Sequence, residues 1–414
     1  MAINVRNRLL SYHFAFINSI NRNVGCETHF WINSLFLIMN KENTVGMVTP
    51  KVMKTQEKLL LESGKGLDSF DITYEVYGEL NKDKTNAVLI CHALSGNHHV
   101  AGYHDGDKKP GWWDNMIGPN KPINTEKFFV VSLNNLGGCH GSTGPTSIDP
   151  KTKKYFGSNF PIVTVGDWVN VQKILMDYLE IPFWQIVVGG SLGGMQSFQW
   201  AVQYPSLIKN SIIIAAAPRL TAQNIAFNEV ARQAIMKDPN WHGGNYLEKK
   251  VSPEHGLALA RMLGHITYLS DESMGEKFGR DLKKSKLGFD FDVEFQIESY
   301  LRYQGEKFVS SFDANTYLLM TKALDYFDPL KDFGEEFYKK LKQTDCKFLV
   351  ISFNSDWRFP PVRSREIVKM LLQSEKNVSY SEIISGGGHD AFLMENNDYF
   401  QIMKLFTDEI HNNV

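Results

Sequence analysis

Short apolar segments alternate with longer amphipathic stretches along most of this 414-residue chain. The apolar segments are Ala87–Cys91, Phe128–Leu133, Ile186–Val188, Ser211–Ile214, Phe348–Ser352 and Val378–Ile384. Continuous apolar runs are typical of strands that are buried on both faces, with helices between them to cover those faces. The pattern therefore predicts an α/β fold with a mostly parallel central sheet flanked by helices.

The alternation stops between about Leu220 and Phe333, where the sequence is helix-like, and it resumes with the apolar segment at Phe348. We therefore expect residues 220–333 to form a helical lid, inserted into a core made of residues 47–219 and 334–414. A core of this size needs neither disulfides nor a metal ion in order to fold.

The first 46 residues differ from the rest of the chain. Residues 1–26 contain arginines but no acidic residue, and the mostly apolar run Phe30–Met39 that follows is too short to span a bilayer. A basic start of this kind is typical of a targeting segment, but it also fits a disordered extension or a mis-assigned start upstream of Met47. We expect residues 1–46 to be an N-terminal extension that takes no part in the chemistry.

Composition excludes several classes of protein. Lys and Arg total 44 against 46 Asp and Glu, whereas a nucleic-acid-binding surface needs clustered basic residues. No apolar run is long enough to cross a membrane. The four cysteines, Cys26, Cys91, Cys139 and Cys346, lie far apart and lack the spacing of a zinc site or a disulfide framework. We therefore expect a cytoplasmic protein that binds neither nucleic acid nor membranes.

The apolar segment at Ile186 leads directly into Gly-Gly-Ser-Leu-Gly-Gly at residues 189–194, and a helix-like stretch follows. Gly189, Ser191 and Gly193 thus form a Gly-x-Ser-x-Gly motif between a strand and a helix, where a serine nucleophile lies in a strained turn. A phosphate-binding loop is the alternative, but such a loop requires a lysine that is missing here. The motif predicts that Ser191 is a catalytic nucleophile.

A serine nucleophile needs a general base and a residue that orients the base. Asp356 follows the apolar segment that begins at Phe348, and His389 follows the one that begins at Val378. The carboxyl ends of parallel strands meet at one edge of the sheet, which would bring these side chains to Ser191. We predict a triad in which His389 transfers the proton of Ser191 and Asp356 holds the tautomer of His389.

A tetrahedral intermediate also needs N–H donors for its oxyanion. We assign them to the backbone of Leu192, directly after the nucleophile, and of Leu94, in the loop after the first apolar segment. The same region contains His92, His98 and His99, which suggests a metal site. No carboxylate or third ligand accompanies them at a fitting spacing, so we expect no metal.

Further motifs have a common counterpart in one known family. They are His92–Gly96, Gly111–Asp114, Asn134–Cys139, Gly141–Pro145, Gly189–Gly194, Ala222–Asn228 and Gly388–Leu393. Over about residues 47–410 the chain resembles the homoserine O-acyltransferases of methionine biosynthesis, which have the α/β-hydrolase fold. The resemblance implies a ping-pong reaction: Ser191 takes an acyl group from an acyl-CoA, which is a substrate and not a bound cofactor, and the hydroxyl of L-homoserine collects it.

The resemblance also implies how homoserine is held. Family members use an arginine of the lid and the aspartate next to the catalytic histidine, and the matching residues are Arg261 and Asp390, with Arg219 and Arg232 as alternatives to Arg261. The chemistry agrees, because a guanidinium pairs with an α-carboxylate and a carboxylate pairs with an ammonium group. Family members are homodimers that associate through the lid, and we expect the same here.

The segment after the catalytic aspartate concerns the acyl donor. Members that use acetyl-CoA resemble Asp-x-Leu-Phe-Pro, whereas Asp356-Trp-Arg-Phe-Pro of this chain resembles the members that use succinyl-CoA. Arg358 can pair with the free carboxylate of a succinyl group, unless it forms a salt bridge with a neighbouring acid. We expect O-succinyl-L-homoserine and CoA as products. An acetyl-CoA-dependent transferase, a serine hydrolase and a non-catalytic scaffold are the alternatives.

Overall fold

A computed structural model of the chain describes residues 43–412. The expectation of an N-terminal extension at residues 1–46 falls almost wholly on residues 1–42, outside the described residues. At the start of the described range, the backbone of Gly46 accepts a hydrogen bond from Tyr103 at 3.0 Å, and Val48 donates one back to Tyr103 at 2.9 Å. These bonds hold the first described residues against the body of the fold.

The described strands include eight that form one central sheet, together with two pairs of two-residue strands. In chain order they are β1 (Lys51–Thr55), β2 (Leu59–Leu60), β3 (Gly66–Leu67), β4 (Phe70–Tyr77), β5 (Ala87–Cys91), β6 (Ile117–Gly118), β7 (Ile123–Asn124), β8 (Phe129–Leu133), β9 (Ile186–Gly190), β10 (Asn210–Ile214), β11 (Lys347–Phe353) and β12 (Val378–Ile383). The order across the central sheet is β1-β4-β8-β5-β9-β10-β11-β12.

Six neighbouring strands of the sheet pair in parallel, as the alternation predicts: β8, β5, β9, β10, β11 and β12. Only β4 runs antiparallel to its neighbours β1 and β8. All residues of β5, β9 and β10 are buried, because helices cover both faces of these central strands. The predicted α/β fold with a mostly parallel sheet is confirmed. The antiparallel edge formed by β1 and β4 was not predicted, because these strands lack a continuous apolar run.

Helices lie between and beyond the strands. They are α1 (Val165–Tyr178), α2 (Leu192–Gln203), α3 (Ala222–Met236), α4 (Glu254–Tyr268), α5 (Asp271–Phe278), α6 (Gln296–Val309), α7 (Ala314–Tyr326), α8 (Pro329–Phe333), α9 (Glu336–Gln343), α10 (Pro361–Gln373) and α11 (Asn397–Asn412). Helix α1 begins with a capping box, in which the side chains of Thr164 and Asp167 accept hydrogen bonds from each other's backbone N–H groups. None of the described helices is long and apolar enough to cross a bilayer.

Helices α3 to α9 all lie between β10 and β11, and α9 (Glu336–Gln343) falls after the predicted end of the lid at residue 333. The division of the chain at residues 220 and 333 into a core and a lid stays a prediction. Four sequence-predicted elements of the site follow strands of the central sheet: the Leu94 loop follows β5, Ser191 follows β9, Asp356 follows β11 and His389 follows β12. Because these strands are parallel, the segments meet at their shared carboxyl edge.

Candidate active site

Ser191 lies in a sharp turn between β9 and α2, with φ 57° and ψ −122°. This conformation is strained for a residue with a side chain, and strain of this kind is concentrated at functional sites. The backbone N–H of Ser191 donates to the carbonyl of Ile214 at 2.9 Å, which ties the turn to β10. The turn thus presents the Ser191 hydroxyl at the carboxyl edge of the sheet.

The turn requires glycine at Gly193, because a Cβ atom there would lie 2.0 Å from the carbonyl oxygen of Cys91 in β5. We expect Gly193→Ala to lower the free energy of unfolding by about 1–3 kcal/mol or more, since backbone has to move. Gly275 in α5 is a matched control, because a Cβ atom there has no neighbour within 4 Å. Gly275→Ala should be neutral or stabilising, since alanine favours a helix. Chemical denaturation of both variants measures the difference, and equal stability would contradict this account of the turn.

The structure brings the three predicted catalytic side chains together. The Ser191 hydroxyl lies 2.8 Å from Nε2 of His389, and Nδ1 of His389 lies 2.7 Å from Oδ2 of Asp356. The exposed fractions are 9% for Ser191, 3% for His389 and 1% for Asp356. In this arrangement, Asp356 accepts a hydrogen bond from the Nδ1–H group of His389, so the lone pair of Nε2 faces the hydroxyl of Ser191 and can take its proton.

The carboxylate of Asp356 is held by backbone N–H groups on its other oxygen. Oδ1 accepts from Arg358 at 3.0 Å and from Phe359 at 2.8 Å. These two charge-assisted hydrogen bonds to rigid backbone fix the orientation of the carboxylate and leave Oδ2 free to accept from His389. Because its carboxylate cannot rotate freely, Asp356 holds His389 in one orientation.

Aromatic rings surround the imidazole of His389, a feature that the sequence analysis did not identify. The rings of Phe359 and Phe392 lie 5.1 and 5.9 Å from it, and the ring of Tyr268 in α4 lies 6.1 Å away, centroid to centroid. These contacts exclude water from much of the imidazole and hold it on the 3₁₀ helix Gly388–Leu393. Helix α4 thus contributes directly to the setting of the triad.

Both predicted oxyanion donors lie beside Ser191. Leu94 lines the same cavity as Ser191 and His389. Leu192 is the first residue of α2, so its N–H group has no carbonyl partner within its own helix and lies at the positive end of the helix dipole. The two amides belong to the segments that follow the adjacent strands β5 and β9. Their position allows them to meet negative charge that develops next to Ser191.

His92 holds the loop that carries Leu94. Its Nε2 accepts from the backbone N–H of Asn135 at 3.0 Å, so Nδ1 carries the proton and donates to the carbonyl of Ala93 at 2.7 Å. Burial lowers the pKa of His92 to about 4, so the ring is neutral near pH 7, as this pair of bonds requires. His92 is therefore a buried structural residue of the loop.

A cavity of about 90 Å³ is lined by Ser191 and His389 and by the three charged side chains that the sequence analysis selected. Its lining includes Ala93, Leu94, Ser95, Ser191, Arg261, Tyr268, Leu324, Arg358, His389, Asp390, Phe392 and Leu393. A pocket that presents two guanidinium groups and a carboxylate to a nucleophile is suited to a substrate with complementary charges.

Arg358 is buried, with 6% of its surface exposed. Its guanidinium donates to the hydroxyl of Thr267 at 2.8 Å and to Oδ1 of Asn228 at 3.3 Å, and it lies over the ring of Tyr268 at 5.4 Å. Within residues 43–412, no carboxylate forms a salt bridge with it, so the alternative of a neighbouring acid is not observed. Burial of an unpaired charge is costly, and an anion in the cavity would compensate for it.

Arg261 and Asp390 present opposite charges to the same cavity. The guanidinium of Arg261 lies 4.6 Å from the ring centroid of Phe308 and 3.4 Å from the hydroxyl of Ser95, while its buried Nε has no hydrogen-bond partner among the described residues. Burial raises the pKa of Asp390, with His389 and Arg261 acting in the opposite direction. In the described part of the chain, neither side chain has an ion-pair partner, which leaves both available to a zwitterionic ligand.

The alternatives to Arg261 lie elsewhere. Arg219 is exposed and pairs with Asp328 at 3.5 Å. Arg232 is buried, but Asp325 at 2.7 Å and Glu229 at 3.0 Å already neutralise it. Neither residue lines the cavity that contains Ser191, so the geometry favours Arg261.

The histidines that suggested a metal site separate into two groups. His92 supports its own loop, whereas His98 and His104 lie with Glu75 in an arrangement whose ligand atoms are all within 4.8 Å of one another. The sequence analysis missed Glu75 because this residue lies 23 residues before His98, on strand β4, whereas His98 lies in the segment after β5, and it did not consider His104. The expectation that no carboxylate accompanies these histidines is therefore wrong.

Known proteins are similar to this chain in sequence over most of its length. The sequence profile of the α/β hydrolase fold family matches residues 86–395. The homoserine O-succinyltransferase of Hydrogenovibrio crunogenus is 58% identical over 369 residues, which cover 89% of this chain and 96% of that protein. The homoserine O-succinyltransferase of Pseudomonas syringae pv. tomato is 60% identical over 370 residues, which cover 89% of this chain and 98% of that protein.

Solved structures with lower sequence identity have the same fold as this chain. The crystal structure of esterase E22 superposes with a TM-score of 0.79 and 30% sequence identity, covering 87% of this chain and 100% of that chain. The homoserine O-acetyltransferase of Bacillus anthracis superposes with a TM-score of 0.79 and 27% identity, covering 88% of this chain and 97% of that chain. One fold thus supports both acyl transfer and ester hydrolysis, and the residues of the cavity have to decide between them.

Proposed function

The chain belongs to the α/β-hydrolase fold family and, within it, to the homoserine O-acyltransferases, and from this premise we propose that it transfers succinyl from succinyl-CoA to L-homoserine. The observation that carries the choice of donor is Arg358, a buried guanidinium that lines the same cavity as Ser191 and forms no salt bridge with any carboxylate of residues 43–412. Succinyl has a free carboxylate that can pair with this group, and acetyl has none. Curated relatives at 56–60% identity carry the name homoserine O-succinyltransferase, which supports the same donor.

The first half of the reaction forms an acyl-enzyme. Oγ of Ser191 attacks the thioester carbonyl while Nε2 of His389 takes the hydroxyl proton, and the oxyanion lies against the amides of Leu94 and Leu192. The carbon–sulfur bond then breaks, and the sulfur of CoA leaves with the proton from His389. Asp356 stabilises the imidazolium throughout, and Arg358 holds the distal carboxylate of the succinyl group.

The second half repeats this chemistry with an alcohol. The side-chain hydroxyl of L-homoserine gives its proton to His389 and attacks the ester carbonyl of succinyl-Ser191. When the bond to Oγ breaks, Ser191 regains a proton from His389, and O-succinyl-L-homoserine leaves. Arg261 binds the α-carboxylate of homoserine and Asp390 binds its ammonium group. These two contacts favour homoserine over water, because water can use neither charge.

The acyl-enzyme provides the test. Incubation with succinyl-CoA alone should add about 100 Da to the peptide that contains Ser191, as expected for a covalent intermediate. L-homoserine should discharge this adduct much faster than water does. Discharge by water and by L-homoserine at equal rates would indicate a hydrolase. A donor preference for acetyl-CoA would indicate the acetyltransferase alternative. No adduct with either donor would contradict acyl transfer through Ser191.

Asp390 should act on the acceptor half of the reaction only. We expect Asp390→Asn to raise KM for L-homoserine by about 10- to 150-fold, since a charge-assisted bond to the ammonium group is worth about 1.5–3 kcal/mol. The burst of CoA released from succinyl-CoA in the absence of acceptor should keep its amplitude and rate. Asp398→Asn, at an exposed position of α11, is the control. Loss of the burst together with the rise in KM would place Asp390 in the acylation step instead.

Assembly and location extend this proposal. We propose a cytoplasmic homodimer that associates through the predicted lid, residues 220–333. The thiols of Cys91, Cys139 and Cys346 are free, which fits a reducing compartment where acyl-CoA substrates are present. Size-exclusion chromatography with light scattering measures the mass in solution.

A further inference from the structure

A cluster of imidazole and carboxylate groups lies outside the catalytic cavity and has no part in the proposed reaction. It consists of Glu75, His98, His99, His104 and Asp107 and is here named the Glu75 cluster. Glu75 lies on β4, whereas the other four residues lie on the segment after the oxyanion loop. None of the five lines the cavity of Ser191.

The Glu75 cluster is centred on a carboxylate that has no contact with solvent. Glu75 is 0% exposed. Nδ1 of His99 lies 3.0 Å from its Oε2, and Nε2 of His104 and the hydroxyl of Tyr77 also contact the carboxylate. Nε2 of His98 approaches Oε1 at 3.6 Å. Three imidazoles thus converge on one buried carboxylate, and such convergence is a property of metal sites as well as of hydrogen-bond networks.

His98 distinguishes between these two arrangements. It is 7% exposed, its buried Nδ1 has no hydrogen-bond partner among residues 43–412, and the distance of 3.6 Å from Nε2 to Glu75 is too long for a hydrogen bond. When two ligand atoms each lie about 2.1 Å from the same ion, the distance between the two atoms is about 3.0–3.5 Å in octahedral or tetrahedral geometry. The separation between His98 and Glu75 is therefore close to that of two ligands on one metal ion.

We propose that Glu75, His98 and His104 bind a divalent transition-metal ion of the zinc type. Neutral imidazoles and a carboxylate suit such an ion, whereas the absence of a thiolate from the cluster argues against Cu(I) and iron–sulfur chemistry. Three protein ligands leave a fourth position, which His99 or water can fill. This site is independent of the proposed transfer reaction, because it lies outside the cavity and needs no substrate.

The position of the proposed site indicates that the ion would have a structural role. It would join β4 to residues 98–104, which directly follow the loop that carries Leu94. Tyr77, at the end of β4, already makes a hydrogen bond of 3.1 Å with the backbone of Val100. The ion would add a second and stronger connection between the same two segments and would stabilise the folded protein by binding it in preference to the unfolded chain.

Metal uptake by the whole protein tests the proposal. After treatment with chelator and dialysis against Zn²⁺, elemental analysis should find about one ion per chain, and the midpoint of thermal unfolding should rise. Co²⁺ should bind in its place and give visible d–d absorption bands, a readout that does not depend on activity. No stoichiometric uptake of either ion would overturn the proposal, and the Glu75 cluster would then be a hydrogen-bonded network.

Variants locate the site. Replacement of His98 and His104 together by glutamine should weaken Zn²⁺ binding by at least about 100-fold, because two of three ligands are lost. Replacement of the exposed His242 and His255 by glutamine removes the same number of imidazoles and should leave the affinity unchanged. If the first variant does not fold, His104→Gln alone, at a half-buried position, should still weaken binding at least about 10-fold. Retained affinity in the His98 and His104 variants would overturn the assignment of the ligands.

Discussion

Asp356→Asn should lower kcat for succinyl transfer by about 10⁴-fold, an effect of the size that loss of the triad carboxylate has in serine proteases. The structure gives the reason. Oδ1 of Asp356 accepts from two backbone N–H groups, so the amide oxygen of an asparagine has to stay at that position. The amide NH₂ group would then face Nδ1 of His389 and donate to it. The imidazole would carry its proton on Nε2, which could no longer accept the proton of Ser191.

The measurement is the steady-state rate together with the burst of CoA release. Asp356→Asn should abolish both, since acylation and deacylation use the same base, while the variant should unfold at a temperature close to that of the parent protein. Asp345→Asn is a control at an exposed position shortly before β11. A loss of activity below about 10-fold would mean that Asp356 does not set the tautomer of His389.

Arg358→Leu should change the choice of acyl donor. We expect kcat/KM for succinyl-CoA to fall by about 10- to 150-fold, which corresponds to the loss of a charge-assisted bond of about 1.5–3 kcal/mol. The value for acetyl-CoA should fall much less or rise, because acetyl has no carboxylate to lose and leucine removes an unpaired buried charge. The backbone N–H of residue 358 stays in place, so its hydrogen bond to Asp356 is retained.

The ratio of the two kcat/KM values is the decisive quantity, because a general loss of folded enzyme changes both values equally. Arg365→Leu removes a guanidinium that is exposed and pairs with Glu382, and it should leave the ratio unchanged. Arg358→Lys should recover part of the preference for succinyl-CoA, since it retains the charge but not the planar fork. An unchanged ratio in Arg358→Leu would remove Arg358 from the recognition of the donor.

Local patterns in the sequence were enough to identify much of the fold. Continuous apolar runs indicated the parallel strands, and the Gly-x-Ser-x-Gly motif at residues 189–193 indicated the turn before α2, because both signals depend on residues close together in the chain. The strand β4 was missed because its apolar and polar residues alternate, as Phe70, Asp71, Ile72, Thr73 and Tyr74 do, whereas the prediction relied on continuous apolar runs. The burial of Glu75 in this strand could not be predicted, because the histidines that contact it belong to a later segment of the chain.

The sequence by itself determined the parallel sheet, the nucleophile turn and the order of Ser191, Asp356 and His389, since a strand places whatever follows it at one edge of the sheet. Only the tertiary structure decided which charges are paired. Arg232 is neutralised by Asp325, whereas Arg358 contacts Asn228, 130 residues away, and forms no salt bridge within the part of the chain that the structure describes. Whether a charge has a partner depends on burial and on contacts between distant segments, and no local pattern encodes either.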